Sequence, residues 1–123
     1  KHPAIAVLPS EISDIKVLGR TQFSNRRIET FMVQTTVSKY PKRVFLMYRF
    51  GPTEAFREAL MLDDGNSNDV EAKDNVFGIT IVPQGGETQM EYYIVAENAS
   101  LMSYSPTNYM WETYKASLEE LNK

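Results

Sequence analysis

The densest group of side chains able to do chemistry is acidic and lies between residues 63 and 74. Oxygen donors are packed there in the order Asp63, Asp64, Asn66, Asn68, Asp69 and Asp74. Carboxylate and amide oxygens are the ligands that Ca²⁺ prefers. An EF-hand alignment starting at Asp64 fails, because Asp69 replaces the required glycine and Asn75 replaces the bidentate glutamate. Asp and Asn also bond to their own backbone in tight turns, so a structural turn is favoured over a calcium site.

Aromatic rings form the second group, and they crowd the C-terminal third of the chain: Tyr92, Tyr93, Tyr104, Tyr109, Trp111 and Tyr114. Such rings can stack on sugars or anchor a protein partner. Tyr104, Tyr109 and Trp111 are the candidate ligand-binding residues, and packing inside the protein is the favoured alternative. An exposed planar row of the three rings would indicate sugar binding. Burial between two sheets would instead indicate a structural or protein-interaction domain.

Residues suited to catalysis are scarce. The single histidine, His2, lies beside the N-terminus, where a fixed general base is not expected. The sequence has no cysteine, which excludes thiolate chemistry and zinc–thiolate sites. It also has no Gly-x-Ser-x-Gly elbow and no phosphate-cradling glycine loop. We therefore expect no enzymatic activity and, apart from the calcium ion considered above, no cofactor.

Composition and charge narrow the classes of partner. The chain has 123 residues, of which 42% are hydrophobic and 24% charged, and these values are ordinary for one soluble globular domain. Its net charge of −3 argues against a basic face that grips nucleic-acid phosphates. No apolar run approaches the length of a membrane span. The sequence thus predicts a single domain over residues 1–123 with neither a nucleic-acid partner nor a membrane span.

The dominant period of the hydrophobic residues is two, which is typical of half-buried β-strands. Strands are predicted over residues 12–23, 27–38, 43–50, 55–62, 77–82, 89–98 and 110–118. The first strand is expected to break near Gly19. A short helix is the rival interpretation of residues 55–62, but strand is preferred because the neighbouring segments alternate. After the last strand, Ser117 and Glu120 fit a capping box, although a polar exit from the strand is favoured.

About seven short strands with a turn roughly every ten residues are typical of an all-β sandwich or barrel. On the second strand, the alternating residues Phe31, Val33, Thr35 and Val37 are predicted to share one face. The two arginines of the third strand, Arg43 and Arg49, mark their own face as the wetter one. Residues expected between two sheets are Val44, Leu46, Tyr48, Phe77, Ile79, Ile81, Tyr92, Ile94 and Ala96.

Separated pieces of the sequence also agree in order and spacing with a known pattern. They are Leu46-Met47-Tyr48-Arg49, Met61-Leu62-Asp63-Asp64-Gly65, Glu91-Tyr92-Tyr93-Ile94-Val95-Ala96-Glu97-Asn98 and Ser105-Pro106. Over residues 44–106 the chain resembles an immunoglobulin-like or fibronectin type III-like β-sandwich module of secreted and surface proteins of Bacteroidetes, the kind found beside lamin-tail or spore-coat-kinase-like domains. Asn75 stands where the module has Gly and Phe77 where it has Tyr. Since Asn tolerates positive φ, the turn is expected to survive.

The resemblance implies a two-sheet sandwich of about seven strands that acts as an accessory, non-enzymatic domain outside the cytoplasm. Its place would be secreted, periplasmic or on the cell surface. The first functional hypothesis is a structural or protein-interaction module of a larger protein, in contact with neighbouring domains or another surface protein. The alternative is a carbohydrate-binding module, with a structural calcium ion in the acidic loop.

Overall fold

A computed structural model describes residues 9–21, 28–38, 41–63, 75–83, 88–99, 101–110 and 112–121 of the chain. Its elements are β1 (Glu11–Thr21), β2 (Ile28–Ser38), β3 (Arg43–Arg49), β4 (Arg57–Met61), β5 (Val76–Ile81), β6 (Gln89–Asn98), β7 (Leu101–Ser105), β8 (Tyr114–Ser117) and α1 (Leu118–Leu121). The strands form two antiparallel sheets packed on each other. The predicted all-β, two-sheet sandwich is therefore confirmed. No helix in the described part of the chain is long and apolar enough to cross a membrane.

The two sheets contain strands that are distant in sequence. One sheet has the order β1-β2-β5, and the other has the order β4-β3-β6-β7 with β8 also paired to β6. Because β6 is long, β8 pairs with its first half and β7 with its second half, both on the side away from β3. The chain between them, residues 106–113, is called the excursion, and its described residues, 106–110 and 112–113, belong to no strand.

The core between the sheets follows the predicted alternation. Phe31, Val33, Thr35 and Val37 are all buried on the inner face of β2. Of the nine residues predicted to lie between the sheets, six are buried, and Tyr48, Phe77 and Ile79 pack partly buried against the same cluster. The polar member of the β2 set is satisfied, since the Thr35 hydroxyl donates to the Ser13 carbonyl at 2.8 Å. Alternation alone was sufficient to identify this face.

Strand pairing tests two local predictions, one about residues 55–62 and one about β1. Residues 57–61 form a strand, as preferred over the helix, because they pair with β3 from Tyr48 to Val44. The break expected near Gly19 takes the form of a register shift just after it, since Gly19 itself pairs with Phe31 and the shift lies between Arg20 and Thr21. The irregularities lie between Ser13 and Lys16, where Asp14 has φ 49°, and again at Arg20 and Thr21. Aspartate reaches this left-handed region more readily than most residues, which permits a bulge there.

The C-terminal segment differs most from expectation. The predicted strand over residues 110–118 is shorter, because β8 covers only Tyr114–Ser117, and β7 was not predicted. The favoured polar exit is also wrong, since residues 118–121 form a helical turn. The Ser117 Oγ accepts a hydrogen bond from the Glu119 N–H at 3.2 Å, and Leu118 is buried in the core. Burial of Leu118 together with this cap explains why so short a helix forms.

The turn that enters β5 behaves as its sequence suggests. Asn75 adopts φ 69°, in the left-handed region that glycine occupies most easily. Asparagine is among the few other residues that tolerate this region at modest cost. The positive φ expected to be tolerated at Asn75 is therefore present.

Candidate functional site

The outer face of the five-stranded sheet is unusually apolar at its centre. On β3 the residues pointing away from the core are Arg43, Phe45, Met47 and Arg49, and on β6 they are Glu91, Tyr93, Val95 and Glu97. The solvent-facing side of an antiparallel sheet normally carries polar residues. Here the charged residues occupy only the two ends of each strand, so the middle of the face is free to contact apolar groups.

Strand register joins these central residues into two rows. In the first row, Phe45 lies opposite both Leu60 and Val95, and Val95 lies opposite Tyr104. In the second row, Met47 lies opposite both Glu58 and Tyr93. The two rows are neighbours on the sheet, and together they form a continuous patch. We call it the apolar band, and its members are Phe45, Met47, Leu60, Tyr93, Val95 and Tyr104.

Val95 shows that the apolar band is packed as well as apolar. It is only 6% exposed, yet it does not belong to the core cluster between the sheets. Its neighbours on the outer face, among them Phe45 and Tyr104, therefore shield it from water. At one edge of the band Leu60 of β4 is 45% exposed. On the opposite side of the band, Met102 of β7 is 42% exposed. Apolar area thus remains available to a partner.

Four aromatic rings contact one another in a chain along the band, and two of them, Tyr93 and Tyr104, belong to it. Tyr104 stacks on Tyr109 with ring centroids 4.3 Å apart and an interplanar angle of 15°. Tyr109 also contacts Tyr93 at 4.7 Å, and Tyr93 meets Phe56 edge to face at 5.0 Å. The Arg49 guanidinium lies 4.4 Å from the Phe56 ring centre, within cation–π range. We call Tyr104, Tyr109, Tyr93 and Phe56 the aromatic ladder, and through Tyr109 it anchors the excursion to the sheet.

The phenols of Tyr93 and Tyr104 stay neutral well above physiological pH. Burial raises the pKa of Tyr93, and the neighbouring Tyr109 and Tyr104 hydroxyls raise it further. Burial also raises the pKa of Tyr104, with smaller contributions from the charge on Tyr109 and from the hydrogen bond between their hydroxyls. A neutral phenol both donates and accepts hydrogen bonds. The ladder can therefore contact a partner through ring edges and hydroxyl groups.

An ion pair stands at each end of the two central strands. The Arg43 guanidinium donates from Nε at 2.7 Å and from Nη2 at 3.0 Å to the two carboxylate oxygens of Glu97. At the other end, Arg49 donates from Nε and Nη2 to the Glu91 carboxylate at 3.3 and 3.0 Å. The Thr113 hydroxyl donates to the same Glu91 oxygen at 3.2 Å. These bonds fix the charged side chains at both ends of the apolar band.

The hydrogen bonds of the two pairs also set their protonation. The bond from Arg43 lowers the pKa of Glu97 from its ordinary value, and the bond from Arg49 lowers that of Glu91. Conversely, the bond to Glu97 raises the pKa of Arg43. Both carboxylates are therefore ionised across the neutral range. As solvent-accessible pairs they add little to stability, so their main effect is to define charge on the surface.

A cleft of about 380 Å³ opens beside the aromatic ladder. Phe56, Tyr93 and Tyr109 form its aromatic side, and its charged lining combines Arg49, Lys115, Glu91 and Glu112. A second groove, of about 480 Å³, lies near α1 and is lined by Val17, Phe50, Met90 and Leu121, among others. No site residue predicted from the sequence lines this second groove. The first cleft continues the outer face and belongs to the candidate site.

The acidic loop is described only at its base. The Asp63 Oδ2 accepts a hydrogen bond from the Asn75 N–H at 2.9 Å, which joins the two ends of the loop. The other predicted metal ligands, Asp64, Asn66, Asn68, Asp69 and Asp74, lie outside the described residues. Within the described ranges, no group of three or more His, Cys, Asp or Glu residues could hold a metal ion. The visible contact is of the turn-forming kind.

We expect Asp63→Ala to lower the free energy of unfolding by roughly 1 kcal/mol, because a backbone N–H loses a carboxylate acceptor at a partly exposed site. Thermal or denaturant unfolding should show the same loss in millimolar calcium and in chelator. Asp63→Asn, which keeps an acceptor, is the control and should retain most of the stability. A calcium-dependent rise of several degrees in the wild type, absent from Asp63→Ala, would identify the loop as a metal site instead.

The predicted ligand-binding tyrosines are brought together, in a manner that neither expectation described. Tyr104 and Tyr109 lie on the outer face of the sheet, and Trp111 lies outside the described residues. The rings form no planar row, because they stack on each other, and they are not buried between the sheets. Stacking covers one face of Tyr104 with Tyr109. This reduces the flat surface on which a sugar ring could lie.

Several members of the site were missed in the sequence. Phe45 and Met47 were assigned to the wetter face of β3 on account of its arginines, and Phe56 and Leu60 received no role. The signal was present in the run from Val44 to Tyr48, where all five residues are apolar and both faces must be apolar in consequence.

No family of known proteins, no curated protein and no solved structure matches this chain.

Proposed function

We propose that this domain is a non-catalytic interaction module of a larger secreted or cell-surface protein. It binds a protein partner through the apolar band and the adjoining aromatic ladder. The observation that carries the proposal is the apolar band on the water-facing side of the sheet, where Leu60 is exposed and Phe45, Met47, Tyr93 and Tyr104 are half-buried around the buried Val95. Contiguous apolar patches on the surface of soluble proteins mark interaction sites. This binding role needs no catalytic group on the face.

The arrangement of the face resembles that of a protein interface. Such interfaces have an apolar centre rich in aromatic residues and Met, and a polar rim. Here Phe45, Met47 and Tyr93 supply the centre, and the Arg43–Glu97 and Arg49–Glu91 pairs supply the rim. Tyrosine and arginine are also the residues most often found at binding hot spots. Each part of a docking surface is therefore present in the expected position.

The division of strands supports the resemblance to immunoglobulin-like modules. Seven-stranded sandwiches of that kind place strands A, B, E and D in one sheet and C, F and G in the other. The same division separates β1, β2 and β5 from β3, β6 and β7, whereas β4 pairs with β3 and so differs from strand D. Because this architecture serves many functions, the proposal of a docking domain rests on the outer face and not on the fold.

A peptide library displayed on phage tests the proposal. We expect panning on the immobilised domain to enrich peptides whose binding falls about tenfold or more on Leu60→Lys, since a charge enters the apolar band. Leu18→Lys is the matched control, because Leu18 is also 45% exposed but lies opposite Met32 on the outer face of the other sheet. Peptide binding should be unchanged on the control.

A glycan array, probed with the same three proteins and with Tyr104→Ala and Tyr109→Ala, distinguishes the carbohydrate alternative. Glycan binding that depends on Tyr104 and Tyr109, without enrichment of peptides, would replace the proposed function by sugar recognition. Peptides that bind Leu60→Lys and wild type equally would also contradict it. Leu60→Lys and Leu18→Lys are surface changes, and unfolding midpoints equal to that of the wild type would show that both variants keep its fold.

A further inference from the structure

The charges on the outer face are sorted by strand. Both outward charges of β3, Arg43 and Arg49, are positive, and both outward charges of β6, Glu97 and Glu91, are negative. Between them, Phe45 and Met47 on β3 lie opposite Val95 and Tyr93 on β6. In register, the pattern is basic, apolar, apolar, basic beside acidic, apolar, apolar, acidic. Such a face is complementary to itself.

From this pattern we propose that the partner of the outer face is a second copy of the chain. The inference rests on the proposed function and names the occupant of the same surface. A two-fold axis parallel to the strands, midway between β3 and β6, places β3 of each copy over β6 of the other. Isologous contacts of this kind require a surface that complements itself under rotation.

The axis matches every outward residue of the two central strands with a suitable counterpart. Arg43 then faces Glu97 of the second copy, and Arg49 faces Glu91 of the second copy. Phe45 faces Val95, and Met47 faces Tyr93. The rotation also exchanges the outer strands, so Leu60 of β4 faces Tyr104 of β7. Opposite charges meet at both ends, apolar residues meet between them, and no like charges of these strands face each other.

The area of the face indicates the size class of interface that it can form. Strands about 4.8 Å apart and same-face rows about 6.7 Å apart make the apolar band and its rim a patch of roughly 500 Å². Two copies would bury about 1,000 Å² in total, which lies at the lower limit for a specific interface. Sheets packed face to face also cross at about 30°, which concentrates contact at the centre. A contact of this size belongs to the weak, transient class of interfaces, so the dimer is expected to be reversible.

Charge reversal with mixing tests the arrangement. Sedimentation velocity of the wild type, from about 1 µM to about 1 mM, should show a concentration-dependent monomer–dimer equilibrium. Arg43→Glu makes one end of the face wholly acidic, and Glu97→Arg makes it wholly basic. Each variant alone should dimerise about tenfold or more weakly, because like charges now face each other. An equimolar mixture should recover dimers, since the acidic end of one variant faces the basic end of the other.

Leu60→Lys and Leu18→Lys provide the apolar test in the same experiment. Leu60→Lys should weaken dimerisation about tenfold or more, and Leu18→Lys should leave it within about twofold. A wild type that stays monomeric throughout, or variants that associate equally alone and mixed, would overturn the self-docking proposal. If peptide binding still depends on Leu60 in that case, the docking function stands with a different protein as partner. Loss of both results would overturn both proposals.

Discussion

Replacement of Ile94 by alanine is expected to lower the free energy of unfolding by about 2–5 kcal/mol. Ile94 is fully buried at the centre of β6, between Leu46 on β3 and Ser105 on β7. The variant loses the transfer free energy of the removed carbon atoms and leaves a cavity. Because both neighbouring strands are held in the sheet by backbone hydrogen bonds, the surroundings can collapse only partly. A value in the upper half of the range is expected for this reason.

Urea unfolding of the wild type, Ile94→Ala and Glu97→Ala measures this difference on one strand. Glu97 points to the outer face and forms an accessible ion pair with Arg43, so its replacement should cost much less stability than the replacement of Ile94. The wild type and both variants should have similar m-values, because the fold and its buried area are retained. Equal losses of stability at the two positions would contradict the assignment of inner and outer faces on β6.

Raising the pH from about 10 to about 12 is expected to remove roughly 2 kcal/mol of stability through a single phenol. Burial raises the pKa of Tyr92 to about 12, with a smaller contribution from Tyr114. In the unfolded chain the same phenol ionises near pH 10. Below that pH the fold carries no penalty, because Tyr92 is neutral in both states. Above it only the unfolded state ionises freely, so stability falls until Tyr92 ionises in the folded state too.

The free energy of unfolding of wild type and Tyr92→Phe, measured across this pH range, isolates the contribution. The variant keeps the ring that contacts Tyr114 at 5.4 Å but has no proton to lose. We expect its stability to fall less steeply than that of the wild type between pH 10 and 12. Parallel curves for the two proteins would show that Tyr92 ionises in the fold as easily as in the unfolded chain.

The inner half of the structure was accessible from sequence because burial imposes a periodic pattern. In β2, four alternating residues from Phe31 to Val37 are buried, and their spacing alone predicted a strand with one apolar face. The positive φ of Asn75 was accessible for a different reason, since few residue types tolerate that conformation. Both features depend on a single stretch of chain and its own chemistry.

The outer face of the five-stranded sheet could not be predicted from the sequence, because it depends on which strands become neighbours. Neither β3 nor β6 shows by itself that Arg43 will pair with Glu97, and only the register between the two strands creates the sorted charges. β7 was missed because the run from Leu101 to Ser105 does not alternate clearly, and it becomes a strand by pairing with β6. The contact of Tyr109 with Tyr93 likewise requires the tertiary fold.

The excursion over residues 106–113 has a consequence for how this domain can diversify. Both of its ends are fixed on β6, since Ser105 pairs with Ile94 and Tyr114 pairs with Tyr92. The hydroxyls of Ser105 and Tyr114 also share a hydrogen bond of 2.7 Å across its base. A segment with such closely spaced, firmly held ends can be exchanged or lengthened while the sandwich keeps its core. Since this segment delivers Tyr109 to the outer face, inherited or engineered changes within it offer a route to new binding specificity.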